Sequence, residues 1–154
     1  MRLETVVVNP RIKRVPLLMM VLLSVVTMGI YPAYWVYSRR DAFNQMGSAH
    51  VGDVLGTVPL ILGFVSLGFS FKSAISPIWG SMAGGLASLV GAVMMILACF
   101  RYRENLRFYV KIRDASPLAA ESVARSWFMT LIFGALYLQY HVNRLLDAGL
   151  LDPK

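Results

Sequence analysis

The chain has one cysteine and two histidines among 154 residues. Cys99 stands inside an apolar run, so no intrachain disulfide can form and no Cys/His spacing suggests zinc. It reads as a small buried hydrophobe. His50 and His141 have no third ligand in sequence reach, so no metal is expected. G-x-S-x-G, P-loop, H-E-x-x-H and paired-carboxylate patterns are all missing. The catalytic inventory is empty, and neither enzymatic activity nor a cofactor is expected. Charge is also scarce, at 15% of residues. Four long apolar blocks contain no Asp, Glu, Lys or Arg. Ion-coupled pumps and voltage sensors need ionisable groups at such places, which argues against either.

What the chain does have is apolar surface. It is 57% hydrophobic with mean hydropathy +0.61. A soluble domain is about half apolar and a quarter charged. The excess sits in the four blocks, as in an integral membrane protein. The charge is +7, from 15 Lys and Arg against 8 Asp and Glu. Basic flanks of membrane segments contact anionic headgroups. Nucleic-acid binding would need a soluble basic module, and no segment is long enough to be one. The first apolar run starts at Val15 and ends in aromatics, not at an A-x-A site, so it reads as retained and not as a cleaved signal.

The expected fold is all-α: an integral membrane bundle of four membrane-embedded helices plus a short basic amphipathic interfacial helix. Residues 1–14 form a basic N-terminal tail. Residues 15–147 form a single transmembrane helical domain, with helices at about 15–38, 54–71, 78–100 and 117–147. Residues 148–154 are a C-terminal tail. A bilayer core needs about 20 helical residues. The second and third blocks, joined through Lys72 to Pro77, form an antiparallel hairpin. Gly29 and Pro32 mark an expected kink. Ser116 then Pro117 reads as a helix start, and Gly149 as a stop. The segment 101–114 carries Arg103, Arg107 and Lys111 four apart, with Tyr102, Leu106, Tyr109 and Val110 opposite. It reads as an interfacial helix or a cytoplasmic extension of the third span.

Four groups of candidate functional residues follow. Tyr31, Tyr34, Trp35 and Tyr37 close the first block, and Tyr137 and Tyr140 close the last; such rings belong at the membrane interface. Gly80, Gly84, Ser88 and Ala92 form a small-residue stripe on the third helix, and Ser122, Ser126, Thr130 and Gly134 form one on the last. Small residues let helices approach closely in lipid, so these two stripes are expected to meet. Arg103, Arg107 and Lys111 are expected to hold lipid headgroups. Gln139, His141, Asn143 and Arg144 make the most polar cluster on a helix, either a headgroup or partner site or the wet end of the helix.

The stretch LLSVVTMGIYPAYWVYSRRDAFN resembles the bacterial membrane family catalogued as domain of unknown function 4234. Its T-x-G-I-Y-x-x-Y-W pattern is carried by Thr27, Gly29, Ile30, Tyr31, Tyr34 and Trp35, followed by Asn44. The ending LYLQYHVNRL, 136–145, is similar to that family's closing helix. Pro32 directly after Tyr31 departs from the pattern. The resemblance implies a small helical bacterial membrane protein and no particular activity.

The expected function is a non-enzymatic membrane component, a scaffold or accessory subunit that packs with another membrane protein or with itself as a homo-oligomer. The alternative is an anionic-lipid-interacting or transport-related protein. The expected location is the bacterial inner membrane, multi-pass. Orientation is harder. With four crossings the basic residues divide seven against eight, which leaves the positive-inside rule without a vote. If the first and last blocks dip in and return, 14 of the 15 share one side, leaving only Lys72 opposite. Four crossings are the preferred expectation, because 23 apolar residues make a comfortable single span.

Overall fold

The computed structural model describes residues 10–72, 77–113 and 122–153. The chain is all-α apart from one short parallel strand pair. In order it forms β1 (Arg11–Ile12), α1 (Leu17–Val26), α2 (Ile30–Asn44), α3 (Asp53–Lys72), α4 (Pro77–Arg113), α5 (Trp127–Asp147) and β2 (Asp152–Pro153). Arg11 pairs with Asp152 and Ile12 with Pro153, so the two tails meet. Among the described residues two helices, α3 and α4, are long and apolar enough to cross a membrane.

The first block is not one helix. α1 stops after 10 residues, about 15 Å, half of a bilayer core. Met28 (φ 51°) and Gly29 (φ 87°) then adopt left-handed backbone and reverse the chain. Gly29 N–H donates to Ser24 O at 2.7 Å, and Thr27 Oγ1 accepts from Tyr31 N–H at 2.9 Å, which starts α2. Pro32 lies in the first turn of α2, where its missing N–H costs nothing, so the expected kink is a reversal completed before the proline. By Arg39 the chain is back at its starting level, since Arg39 Nη2 donates to Lys13 O at 2.9 Å.

The last block reverses too. α5 breaks at Gly134 (φ 38°, ψ −111°), a conformation open to glycine. Ser126 N–H donates to Tyr137 Oη, 11 residues on, and Ala124 N–H to His141 Nε2, 17 residues on. A straight helix would separate the second pair by about 25 Å. The expected helices at 15–38 and 117–147 are therefore each replaced by a hairpin. The Ser116–Pro117 start lies outside the described residues.

α3 and α4 form the expected antiparallel pair, and their seam is made of small residues. A Cβ on Gly84 would lie 3.1 Å from Phe69 Cβ, and one on Gly91 3.3 Å from Leu62 Cβ. Ser66 Oγ bonds Gly84 O and the Ser88 hydroxyl. The α4 stripe thus faces α3 at Gly84 and Ser88, while Gly134 of the α5 stripe meets α4 at Cys99. Gly80 is helical, but its surroundings lie outside the described residues. The segment 101–113 is no separate interfacial helix; it is the end of α4, a 37-residue rod of about 55 Å.

The buried core sits at one end, where this extension of α4 meets the ends of α2 and α5. Trp35, Val36, Phe43, Tyr102, Leu106, Val110, Leu138 and Val142 fill it, and Ile12 and Leu151 of the tails close it. Along α1, most of α3, α4 up to Leu97, and α5 from Trp127 to Phe133, large apolar side chains stay exposed.

The seam gives a stability test. Gly84→Leu should destabilise the protein in detergent by about 1–3 kcal/mol, the usual cost of overpacking. Gly85→Leu, where an added Cβ meets nothing within 4 Å, should be near neutral. Equal melting temperatures for the two variants would contradict the seam.

Candidate functional site

The densest polar chemistry lies inside the one-ended core. Trp35 Nε1 donates to Gln139 Oε1 at 2.7 Å. Gln139 Nε2 donates to Asn143 Oδ1 at 2.6 Å, and Asn143 Nδ2 donates to Val15 O at 2.8 Å. The relay ties α2 to α5 and both to the entry of α1. The first link is buried and the other two part-buried, and in such an interior an unpaired member is costly. Beside it Phe43 stacks on Tyr102 at 4.3 Å, with 7° between the ring planes. Tyr102 Oη donates to Val36 O at 2.7 Å.

A second polar device holds the connector between α2 and α3. Asn44 takes Val51 at both backbone groups: Val51 N–H donates to Oδ1 and Nδ2 donates to Val51 O. Asn105 grips Ala49 in the same two-point way, at 2.9 Å for each bond. Gly47 passes so close to α4 that a Cβ there would lie 2.9 Å from Asn105 Cα. Asn105 is absent from the expected site residues. Its signal was available: it shares the 102, 105, 106, 109 face of an amphipathic helix and is the one neutral polar residue on that face.

The expected interfacial aromatics divide. Tyr34, Tyr37 and Tyr140 are exposed, and Tyr31 and Tyr137 are partly buried. Trp35 is 0% exposed, a core residue and no interface anchor, because α5 and α4 cover its face of α2. The expected headgroup stripe divides too. Arg103 spends its guanidinium on Ala124 O at 2.7 Å and Arg125 O at 2.9 Å, bracing the entry to α5. Arg107 is partly buried and Lys111 is exposed.

Of the small residues, Ala92 and Ser88 line a cavity of about 260 Å³ between the α1–α2 tip and the α3–α4 pair. Ser126 caps α5, its Oγ accepting from Met129 N–H. Thr130 is buried and its hydroxyl donates to Ser126 O. Ser122 precedes α5 on the surface. Gly134 is the break itself, where a Cβ would lie 3.4 Å from Cys99 Sγ. In the polar cluster Gln139 and His141 are buried, Asn143 is partly buried and Arg144 is exposed. The cluster is therefore not a wet helix end; three of its members face inward.

Among the described residues two buried groups retain unpaired atoms, Arg39 Nε and His141 Nδ1. Burial lowers the Arg39 pKa from its ordinary value, yet a guanidinium stays charged in proteins. Its carbon lies 5.0 Å from the centre of the Trp35 ring. His141 sits between the rings of Tyr137 and Tyr140. Burial, with Arg144 adding to it, pushes its pKa from 6.5 down to about 4. No group of three His, Cys, Asp or Glu that could hold a metal occurs among the described residues.

His141 makes stability depend on pH. Its Nε2 accepts from Ala124 N–H, so the folded state needs the neutral ring. The unfolded chain binds the proton more readily, so stability is full above about pH 6.5 and declines as pH falls toward 4. Melting in detergent across this window should show the decline. His141→Gln, which keeps an acceptor and loses the titration, should flatten it. An equally steep variant would remove His141 as the cause.

Comparison with known proteins gives one positive result. The family described as "Domain of unknown function (DUF4234)" matches residues 15–108. No curated protein and no solved structure matches the chain. The matched span runs from the entry of α1 into the extension of α4, and so contains Trp35, both asparagine clamps, all of α3 and α4 as far as Phe108. It covers more than half of the chain, and the protein belongs to the DUF4234 family.

Proposed function

We propose that this protein is a non-enzymatic membrane component, a scaffold or accessory subunit that packs with another membrane protein or with a second copy of itself. It crosses the bilayer with α3 and α4 and dips α1–α2 and α5 into it from one side. The observation that carries this reading is segregation. The aromatic and polar core lies wholly at one end, and exposed Phe64, Leu86, Leu89, Val90 and Val93 lie along the other.

Depth supports the dipping geometry. Ile30, at the hairpin tip, stands beside Gly63, ten residues into α3. Ten residues of helix are about 15 Å, the midplane of a core about 30 Å thick. Irregular backbone is tolerated at that depth when its polar groups are paired, as at Gly29. The basic residues then orient the chain. Lys72 alone lies at the α3–α4 turn, and every other Lys or Arg among the described residues lies at the core end. That end is cytoplasmic by the positive-inside rule. The core's polar side chains are mostly spent on the fold, as at Gln139 and Asn105, which leaves surface contact as the working chemistry.

Two measurements test this. Single cysteines on a Cys99-free background should be labelled from outside at Ser73 and protected at Thr5, Ser48 and Ser116. Joint labelling of Thr5 and Ser73 would establish four crossings instead. A photo-crosslinker at Leu89, on the exposed face of α4, should give one product of fixed mass in membranes. A product of random mass or none, from a correctly inserted protein, would remove the scaffold reading.

A further inference from the structure

A cleft of about 530 Å³ lies between the N-terminal segment and α2, and core packing does not account for it. Its polar lining is Arg11, Lys13, Tyr31, Tyr34, Ser38 and Arg39, and no acidic residue lines it. Arg11 and Lys13 are exposed, as flank residues usually are. Arg39 is different, being only 8% exposed. One nitrogen serves Lys13 O, the plane rests on Trp35, and Nε is out of water with no partner. Nor does it have a counter-ion. Among the described residues, ion pairs join Arg14 to Asp147, and Arg40 to Asp41 and Asp53, but none includes Arg39. A buried cation without an anion is costly unless something supplies one.

We propose that this cleft binds the phosphate group of an anionic phospholipid, with Arg39 as the buried cation and Arg11 and Lys13 closing over the phosphate from the water side. Guanidinium matches phosphate with paired donors. The hydroxyls of Tyr34 and Tyr31 supply further donors along the wall. The shape favours a lipid over a free ion. A free phosphate would use only the basic end near Arg39. The cleft continues along α2 to Tyr31, toward the hairpin tip, and neighbouring α1 exposes Leu18, Leu22 and Val25 where acyl chains would lie. Polar end and apolar end thus stand in the order that a headgroup and its chains require. The site rests on the membrane placement proposed above and adds a bound ligand to it.

The test is native mass spectrometry of the full chain from mild detergent, supplied with phosphatidylglycerol, phosphatidylcholine or inorganic phosphate. Wild type should retain one phosphatidylglycerol in preference to phosphatidylcholine. Arg11→Gln with Lys13→Gln, both exposed positions, should leave melting unchanged and cut retention roughly fivefold per charge. Arg39→Lys, which keeps the charge and loses the fork, should also cut it. Arg107→Gln with Lys111→Gln, on the far end of α4, should not. Equal retention in wild type and the Arg11/Lys13 variant overturns the site, as does an equal loss in the Arg107/Lys111 variant. Equal retention of phosphatidylcholine, whose phosphate is already paired with its own choline cation, overturns the anionic lipid as the ligand. Retention of inorganic phosphate but no lipid overturns the lipid. Each of these results leaves the crossing geometry standing, because cysteine labelling reads that separately.

Discussion

The Trp35–Gln139 hydrogen bond is the constraint on which the assembly of this fold depends. It joins the two hairpins in the interior, 104 residues apart in sequence. Neither partner can reach water. Sliding α5 against α2 by one turn would strand an indole N–H and an amide together, at about 1–3 kcal/mol for each unpaired group. Apolar packing alone tolerates such slippage; a saturated polar relay does not. Gln139 passes the constraint to Asn143, and Asn143 to the carbonyl of Val15, so the depth at which α1 enters is set by the same chain. Fixing α2 also fixes α3, because Asn44 and Asn105 hold the connector between them against α4.

This explains why one molecule uses two kinds of packing. At the core end burial from water rewards large side chains, so Trp35, Phe43 and Tyr102 cluster there. In the proposed membrane placement the apolar half faces lipid chains as apolar as leucine, and burial there would gain little. There α3 and α4 associate through close approach at Gly84 and Gly91 and through the Ser66–Ser88 hydroxyl pair. The small residues read from the sequence do serve tight packing, but against the nearest helix in the chain.

The α3–α4 pair was legible because its two apolar blocks are separated by a polar turn at Lys72, and each is long enough to cross a bilayer. The hairpins were not. Hydropathy reports how deep a residue lies, not which way the chain is travelling, so a run that enters and returns looks like one that crosses. The charge count bears on this: a seven-to-eight division under four crossings gives no orientation, whereas the proposed two crossings put 14 of the 15 basic residues together. Trp35 and Tyr34 show a second limit. They are adjacent in sequence and equally suited to an interface, yet one is 0% and the other 51% exposed. Which face of α2 turns inward is decided by Gln139 and Tyr102, partners far along the chain. Gly134 looked like a fourth small residue in a stripe. Its role as a break depends on a backbone conformation that composition does not register.

The family motif acquires a physical meaning at the hairpin tip. Reversing a chain at apolar depth strands backbone groups that water cannot reach. Thr27 answers at both ends of the turn: its hydroxyl donates to Leu23 O at the close of α1 and accepts from Tyr31 N–H at the opening of α2. Gly29 takes the left-handed conformation at little steric cost, and its N–H closes on Ser24 O. Thr, Gly and the following Ile-Tyr are thus the parts of one turn, with Ile30 seated beside Gly63 of α3 and Tyr31 leading back toward the surface. The Trp that ends the motif then lies one further turn along α2, where Gln139 meets it. A motif that resembles an aromatic belt is, in this geometry, a reversal followed by the anchor that holds the reversed helix in place.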